Sequence, residues 1–154
     1  MQAGLDQHIE TKHGLQSENV VDRKILALLV ELGELANETR CFKFWSLKGP
    51  SDQETILTEY VDGIHFILSL ANEFDFELSV PEEFLSDQHD VTEQFLLLYQ
   101  GISKFKNERT NEIFQTIFAE YLSLGKMLGF SANDVEKAYV SKNEVNYERQ
   151  KQGY

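Results

Sequence analysis

Cysteine, basic residues and long apolar runs are all scarce in this chain of 154 residues. The single cysteine, Cys41, excludes a disulfide within one chain and any zinc site that needs two cysteine ligands from it. A reducing, cytoplasmic location is therefore the default expectation. No apolar run reaches the length of a membrane span, because Lys24 and Glu31 bracket the longest early one. The N-terminus also lacks the basic and apolar regions of a signal peptide, so no membrane partner is expected.

The charge balance is strongly acidic. Basic residues number 14 against 26 acidic ones, which gives a formal net charge of -12. A general nucleic-acid surface needs a basic face, so this balance argues against binding to nucleic acid. Acidic clusters instead suit cations, or phosphates that arrive with a cation. With 42% apolar and 26% charged residues, the chain is expected to form one soluble globular domain over residues 1–154.

Apolar residues recur at helical spacing along most of the chain, and no strand pattern competes with them. Ser17 and Ser131 are expected to cap helices at their N-termini, and Gly14 and Gly129 to end them. The pattern predicts helices over about 2–12, 17–39, 52–74, 91–105, 111–128 and 131–150. The fold class is therefore all-α, a bundle of about five to six helices with a four-helix core.

Four carboxylates are arranged as two matched pairs. Glu31 and Glu34 are three residues apart, and so are Glu59 and Asp62, so each pair shares one face of its helix. Both pairs are embedded among apolar residues, where uncompensated negative charge is costly. If the two helices pack antiparallel, the carboxylates meet and can bind a cation. All-oxygen ligands favour Mg²⁺, with Mn²⁺ as an alternative.

Two other interpretations of these acids remain open on spacing alone. The carboxylates could be ordinary solvated positions of amphipathic helices, because Glu is a good helix former. Asp62 and His65 also have the carboxylate-x-x-His spacing of ferritin-like di-iron bundles. That site needs two such pairs, whereas the first helix offers only Glu31 and Glu34. A lone histidine on a buried helix is in general more often a core residue than a ligand.

An aromatic segment follows the first acid pair. It contains Phe42, Phe44 and Trp45 and closes with Gly49-Pro50, a pair that forces a loop. Three aromatic residues within four positions are more than a solvated loop usually carries. Either the rings fill the core, or one of them forms a platform for a flat ligand.

The C-terminal helix brings positive charge to this acidic chain. Lys142, Asn146 and Arg149 are spaced by four and three residues, so they share one face. A solvated face is one explanation of this pattern. Beside a carboxylate-bound cation, the same side chains are what a polyphosphate needs.

These motifs carry a family resemblance. The two acid pairs, separated by twenty-four residues, resemble the signature of the all-α NTP pyrophosphatase superfamily, which includes MazG-type enzymes and dimeric dUTPases. Within it, three stretches are similar to the dimeric dUTPase family and lie in that family's order: LALLVELGELANETRCFKFWS, EYVDGIHFILSL and SKNEVNYERQKQGY. The resemblance is specific over residues 25–72 and 139–154.

The resemblance implies Mg²⁺-dependent hydrolysis of dUTP to dUMP and pyrophosphate. Mg²⁺, or Mn²⁺ in its place, would be held by Glu31, Glu34, Glu59 and Asp62, and either Glu31 or Glu34 would activate the attacking water. Metals that bridge phosphate oxygens neutralise developing charge and lower the pKa of water, which fits this chemistry. The resemblance leaves open whether dUDP is also a substrate.

The resemblance also assigns substrate contacts. Lys142 and Arg149 would hold the polyphosphate, and Asn146 and Tyr154 match polar positions near the base or phosphates. His65 matches the position that contacts the deoxyribose 3′-hydroxyl, which replaces the core interpretation of this histidine. Phe66 lies where an apolar wall disfavours ribose. Trp45 falls in the family's aromatic loop, which borders the base.

Base recognition is the one departure from the family pattern. The family reads uracil with a Gln-x-x-Leu-Asn element, and this chain has Gln2-Ala3-Gly4-Leu5-Asp6. Asp6 can accept the N3–H of uracil but cannot donate to a carbonyl. This substitution keeps open a second hypothesis, a pyrophosphatase of the same fold that acts on another nucleoside triphosphate. A third hypothesis is a non-catalytic helical interaction protein.

The resemblance further implies a homodimer whose active-site clefts take residues from both subunits. The many apolar residues between Phe95 and Leu128 support it, because they exceed what one face of a short bundle needs.

Overall fold

The structure, a computed structural model, describes residues 1–15, 19–80 and 90–153. In these three ranges the chain forms six helices and no strand, which confirms the all-α prediction. The helices are α1 (Gln2–Lys12), α2 (Val21–Thr39), α3 (Gln53–Glu73), α4 (Val91–Asn107), α5 (Asn111–Met127) and α6 (Ala132–Lys151). Within the same ranges, none of them is both long and apolar enough to cross a membrane.

The hydrophobic core is built by α2, α3, α4 and α5. Each of these helices turns an apolar stripe inward, and Leu32, Ile67, Leu98 and Phe114 are among the fully buried side chains. Burying a side chain of this size stabilises the fold by about 1.5–3 kcal/mol relative to leaving it in water. The two outer helices, α1 and α6, contact each other and pack against α3. Helix α3 therefore lies at the centre of the molecule.

Helices α2 and α3 run antiparallel, as the single connecting loop predicts. Lys24 near the start of α2 pairs with Glu73 at the end of α3. At the other end, the Ser51 hydroxyl donates to Glu38. The start of α2 thus lies beside the end of α3, and the end of α2 lies beside the start of α3. The middle of α2 therefore faces the middle of α3. The two acid pairs lie there.

Side-chain caps define most helix starts, and one predicted start is wrong. Asp52, Asp90 and Thr110 cap α3, α4 and α5, and Ser131 forms the predicted capping box of α6. Helix α2 was expected to begin at a Ser17 cap but begins at Val21, where the Asn19 side chain accepts from the Val21 backbone N–H. Ser17 itself lies outside the described residues.

The predicted helix stops Gly14 and Gly129 both adopt the left-handed backbone conformation, with φ of 67° and 89°. In each case the residue after the glycine bonds back into the helix: the Leu15 N–H donates to the Glu10 carbonyl, and the Phe130 N–H donates to the Gly125 carbonyl. These bonds satisfy carbonyls that the helix end would otherwise leave open. Both stops are confirmed.

The aromatic loop between α2 and α3 does not fill the core. Phe44 is 94% exposed and Trp45 is 65% exposed, and Phe42 beside them is 41% exposed. Their rings contact one another edge to face, with centroids 5.1 Å apart for Phe44 and Trp45. The core interpretation of these residues is therefore wrong. The loop is instead fixed from within, because the Arg40 guanidinium donates to the Ser46 hydroxyl and the Lys48 carbonyl.

The apolar residues of α4 and α5 lie mainly inside the subunit. Phe95, Leu98, Ile102, Phe105, Ile117 and Leu124 all belong to the core. Among the large apolar residues described between positions 95 and 128, only Leu96 is exposed. The abundance of apolar residues in this stretch therefore builds the core, and it does not support dimerisation in the way the sequence suggested.

Candidate active site

Three carboxylates meet between α2 and α3. Glu31, Glu34 and Glu59 each bring one carboxylate oxygen to within 4.8 Å of the other two. Helix geometry explains this, since residues three apart share a face and the two helices run antiparallel. Glu31 and Glu59 are half-buried, whereas Glu34 is exposed. A set of three close oxygen ligands is one that a hard divalent cation prefers.

Asp62, the fourth predicted acid, forms an ion pair with α6. Its Oδ2 accepts from the Lys142 Nζ at 2.7 Å, and each side chain is only 18% exposed. Asp62 is close enough to Glu31 for its negative charge to raise the pKa of that residue. The acid pairs are thus adjacent, and a lysine from the C-terminal helix borders them.

Burial and the crowding of negative charge raise the pKa values of two acids in the cluster. Burial, followed by the charges of Asp62, Glu34 and Glu59, raises the pKa of Glu31 to about 7. Burial and the neighbouring carboxylates also raise the pKa of Glu59. Near neutral pH the cluster therefore holds a proton that isolated carboxylates would have released. A bound cation would remove the need for that proton.

A cavity of about 510 Å³ opens beside the cluster and is bounded by α1, α2, α3 and α6. Its walls include nine of the residues predicted from sequence to act in binding or catalysis: Gln2, Asp6, Glu31, Asp62, His65, Phe66, Lys142, Asn146 and Arg149. These residues come from both ends of the chain and its middle. The fold therefore brings most of the predicted site together in one place.

A buried hydrogen-bond network organises one wall of the cavity. Gln2 Oε1 accepts from the Tyr139 hydroxyl at 3.1 Å and lies 2.6 Å from His65 Nδ1. Gln2 Nε2 donates to Asp6 Oδ1 at 2.9 Å. Since Gln2 Oε1 can only accept, Nδ1 of His65 carries the hydrogen and Nε2 is an acceptor. The Tyr139 ring stacks on the imidazole with centroids 4.4 Å apart, which fixes its plane.

Two acceptor atoms of this network have no hydrogen-bond partner among the described residues. His65 Nε2 and Asp6 Oδ2 are both buried, and neither has a hydrogen-bond partner in the described part of the chain. Burial, followed by the positive charge of Lys142, lowers the pKa of His65 to about 4, so the imidazole is neutral near pH 7. A buried acceptor without a donor is costly. Both residues line the cavity, so a ligand there can supply the donors.

Three of the predicted residues that the structure describes do not line this cavity. Glu34 and Glu59 line a second, smaller cavity of about 430 Å³, together with Val30, Gly33, Asn37 and Glu38. The acid cluster therefore lies between the two cavities. Trp45 lines neither of them in the described structure and is exposed to solvent. Tyr154 lies outside the described residues.

Several residues of the large cavity or its wall were not predicted from the sequence, Arg23, Lys24 and Tyr139 among them. Arg23 and Lys24 line the cavity, and the Lys24 Nζ is 3.4 Å from Glu10. Tyr139 supports His65 from α6. A signal for Arg23 was present, because Arg23, Ala27 and Glu31 are spaced by four residues and so share one face of α2. No comparable spacing links Tyr139 to His65.

Comparison with known proteins identifies the family. A protein-family model described as dUTPase matches residues 1–154, the whole chain. The chain belongs to the dimeric all-α dUTPase family. A search of curated proteins returned no match. Membership makes this dUTPase a dUTP diphosphatase, a hydrolase of nucleotide metabolism with a nucleotide substrate. Members of the family are generally metal-dependent, and the acid cluster of this chain has suitable ligands.

The raised carboxyl pKa values predict how the stability of the metal-free dUTPase depends on pH. Between the ordinary pKa of a glutamate and about 7, folded Glu31 binds more proton than unfolded Glu31, so stability falls as pH rises through this window. We expect the melting temperature without divalent cations to be lower at pH 8 than at pH 6. Calorimetry of Glu31→Gln should show a weaker slope, with exposed Glu54→Gln as the control. A slope unchanged in Glu31→Gln would contradict this assignment.

Proposed function

We propose that the enzyme hydrolyses dUTP to dUMP and pyrophosphate in a Mg²⁺-dependent reaction, with Mg²⁺ held by Glu31, Glu34, Glu59 and Asp62. The observation that carries this proposal is the meeting of three carboxylates between α2 and α3, beside a cavity with polar groups for a nucleotide. Carboxylate oxygens also accept Mn²⁺, which we propose as a functional substitute. We further propose that the chain acts as a single domain, since α2 to α5 share one core.

The acid cluster fits a divalent cation for an electrostatic reason. Without a cation, the like charges raise the pKa of Glu31 to about 7, so full ionisation is unfavourable near neutral pH. A cation stabilises all the carboxylates in their ionised form. When bound, Mg²⁺ neutralises charge on phosphate oxygens and favours deprotonation of the attacking water.

Glu31 is the better candidate of the two for accepting the proton of the attacking water. It lines the large cavity, whereas Glu34 is exposed and lines the small one. Glu34 then has the role of a metal ligand at the border between the two cavities.

The phosphates are proposed to lie against α6. Lys142 is already held beside the cluster by Asp62, and Arg149 and Asn146 line the same cavity. A guanidinium and an ammonium complement the charge that a triphosphate keeps after a divalent cation binds. The C-terminal helix thus supplies the cationic side of the site, and α2 and α3 supply the anionic side.

The deoxyuridine is proposed to bind the two buried acceptors. His65 Nε2 accepts from the 3′-hydroxyl of the sugar, and Asp6 Oδ2 accepts from the N3–H of uracil. Each contact satisfies an acceptor that lacks a donor in the described structure. Phe66 lines the cavity next to His65 and offers an apolar surface where a ribose 2′-hydroxyl would lose its hydration.

We also propose that the enzyme is a homodimer. Leu26 is 62% exposed and Val30 50% exposed on one face of α2, and Leu96 of α4 is 58% exposed. Together with the exposed aromatic loop, they present apolar surface that a second subunit would cover. Since Trp45 lines neither cavity of its own subunit, it would border the base in the cleft of the other subunit.

Product analysis tests the reaction. With Mg²⁺, purified protein should release pyrophosphate from dUTP far faster than from dCTP, dTTP or UTP, and chelation should stop the reaction. Glu34→Gln and Asp62→Asn should each lower kcat/KM by about 100-fold or more, since lost metal contacts outweigh lost supporting ones. Exposed Glu54→Gln on α3 is the matched control and should retain activity. Full activity in either site variant would refute the metal assignment, and release from several nucleotides would favour the broader pyrophosphatase.

The sugar contact predicts discrimination at the 3′ position. Wild-type kcat/KM should be about 10-fold or more lower for 2′,3′-dideoxyuridine triphosphate than for dUTP, because His65 Nε2 then stays unpaired. His65→Leu should lower activity on dUTP and bring the ratio of the two substrates close to one. Since the pKa of His65 is about 4, the wild-type ratio should stay constant from pH 6 to 8. Equal wild-type use of both substrates would exclude this contact.

Light scattering after size-exclusion chromatography tests the dimer. Wild type should run at twice the mass of one chain at micromolar concentration. Leu26→Glu should shift the protein toward the monomer, because a carboxylate cannot be buried in an apolar interface without large cost. Val145→Glu on α6 is the control and should stay dimeric, since Val145 lies on a different helix and is also exposed. A stable, active wild-type monomer would contradict the proposal.

A further inference from the structure

Two buried tyrosines join α3 to α5 by a reciprocal pair of hydrogen bonds. The Tyr60 hydroxyl donates to the backbone carbonyl of Tyr121 at 3.0 Å, and the Tyr121 hydroxyl donates to the backbone carbonyl of Tyr60 at 2.9 Å. Their rings stack with centroids 4.8 Å apart, and both side chains are at most 1% exposed. Each carbonyl belongs to a helix and has a second lone pair for the tyrosine. The pair therefore fixes one helix against the other.

Glycines on both helices make this close approach possible. A Cβ at Gly63 would lie 1.9 Å from the Tyr121 hydroxyl, and a Cβ at Gly125 would lie 2.4 Å from the Tyr60 hydroxyl. Glycine inside a helix costs stability relative to alanine, so a glycine at such a position indicates a packing requirement. Gly63 directly follows Asp62.

The two hydroxyls of the pair donate to backbone carbonyls of different helices. Tyr121 bonds the carbonyl of Tyr60, which lies between Glu59 and Asp62 on α3. Tyr60 instead bonds α5, a helix with no residue in the acid cluster. Burial, followed by the neighbouring Tyr60 and the charges of Glu31, Asp62 and Glu59, raises the pKa of Tyr121, so its hydroxyl stays protonated and can donate.

A third tyrosine repeats the contact on the other carboxylate helix. Tyr99 of α4 donates its hydroxyl to the Leu29 carbonyl of α2 at 3.1 Å. A Cβ at Gly33 would lie 3.1 Å from that hydroxyl, and Gly33 directly precedes Glu34. Each carboxylate helix is thus held from its far side by a tyrosine of the α4–α5 hairpin, close to its acids and beside a glycine.

We propose that Tyr121 and Tyr99 are positioning residues, which hold the backbones of α3 and α2 so that the carboxylates keep the separation that a divalent cation needs. The inference rests on the proposed metal site. Tyr121 and Tyr99 line neither of the two cavities, and they act through the helix backbone. A shift of a few tenths of an ångström in either helix changes the distances between carboxylates on opposite helices. The two hydroxyls limit such shifts from the side away from the cavity.

The pair provides a matched test, because Tyr121→Phe and Tyr60→Phe each remove one buried hydroxyl from the same stacked rings. Mn²⁺ binding to the full chain without nucleotide is titrated by electron paramagnetic resonance, and unfolding by calorimetry. The melting temperature should fall by a similar amount in both variants. Only Tyr121→Phe should weaken Mn²⁺ binding, by about 10-fold, the lower range for residues that orient metal ligands. Tyr60→Phe should stay within about 2-fold of wild type on the same scale.

Tyr99→Phe extends the test to α2 and should also weaken Mn²⁺ binding, with a smaller loss of stability because Tyr99 is only half-buried. Mn²⁺ affinity equal to wild type in Tyr121→Phe, or weakened equally in Tyr121→Phe and Tyr60→Phe, would overturn the positioning role and leave the metal site intact. A wild type that binds no Mn²⁺ would overturn both the metal site and this inference.

Discussion

Repulsion between carboxylates is the constraint on which the rest of the structure depends. Three acids from α2 and α3 bring oxygens within 4.8 Å of one another, and a fourth lies beside them. Such a cluster favours separation of the two helices that carry it. The fold opposes this with a large apolar contact between α2 and α3, with the Lys142 ion pair, and with tyrosine bonds to both helix backbones. In the metal site proposed above, a bound cation would relieve this repulsion.

The charge distribution around the large cavity follows from the same arrangement. Glu31 and Asp62 line it on the side of the acid cluster, and basic side chains of α6 border them, so opposite charges meet there, as the proposed metal-bound triphosphate would require. The wall also contains two buried acceptors, His65 Nε2 and Asp6 Oδ2, and burial keeps the imidazole of His65 uncharged. The large cavity thus combines the kinds of group that the phosphates, the sugar and the base of a nucleotide would need in the binding mode proposed above.

Local patterns in the sequence predicted the helices and the acid pairs, since both depend on spacings of three and four residues. They also predicted the stops at Gly14 and Gly129 and the cap at Ser131, because stops and caps depend on residues within a few positions of the helix end. The start of α2 was misplaced because Ser17 offered a good cap earlier in the chain than the helix begins. The exposure of Phe44 and Trp45 was not predicted. Composition indicates that aromatic side chains tend to be buried, but it does not show which surface they pack against.

Contacts between distant parts of the chain were beyond these patterns. Gln2 meets His65 and Tyr139 only because α1 and α6 pack on the same side of α3, and no periodicity links residues so far apart. The reciprocal tyrosine pair is similar, since Tyr60 and Tyr121 are 61 residues apart. In both cases the contact depends on hydrogen bonds between specific polar atoms, and the apolar periodicity of the helices does not predict which polar atoms will meet.

Asp6 shows how one substitution alters what the site can recognise. One of its oxygens is engaged by Gln2 Nε2, so only Oδ2 remains for the base. An asparagine, as in the family pattern, offers both a donor and an acceptor, whereas an ionised carboxylate can only accept. With the base contact proposed above, recognition of the uracil N3–H would therefore be retained, and cytosine would be disfavoured because its N3 presents a lone pair to the carboxylate. Thymine has the same N3–H as uracil, so its exclusion must depend on the space around the C5 methyl group, not on Asp6.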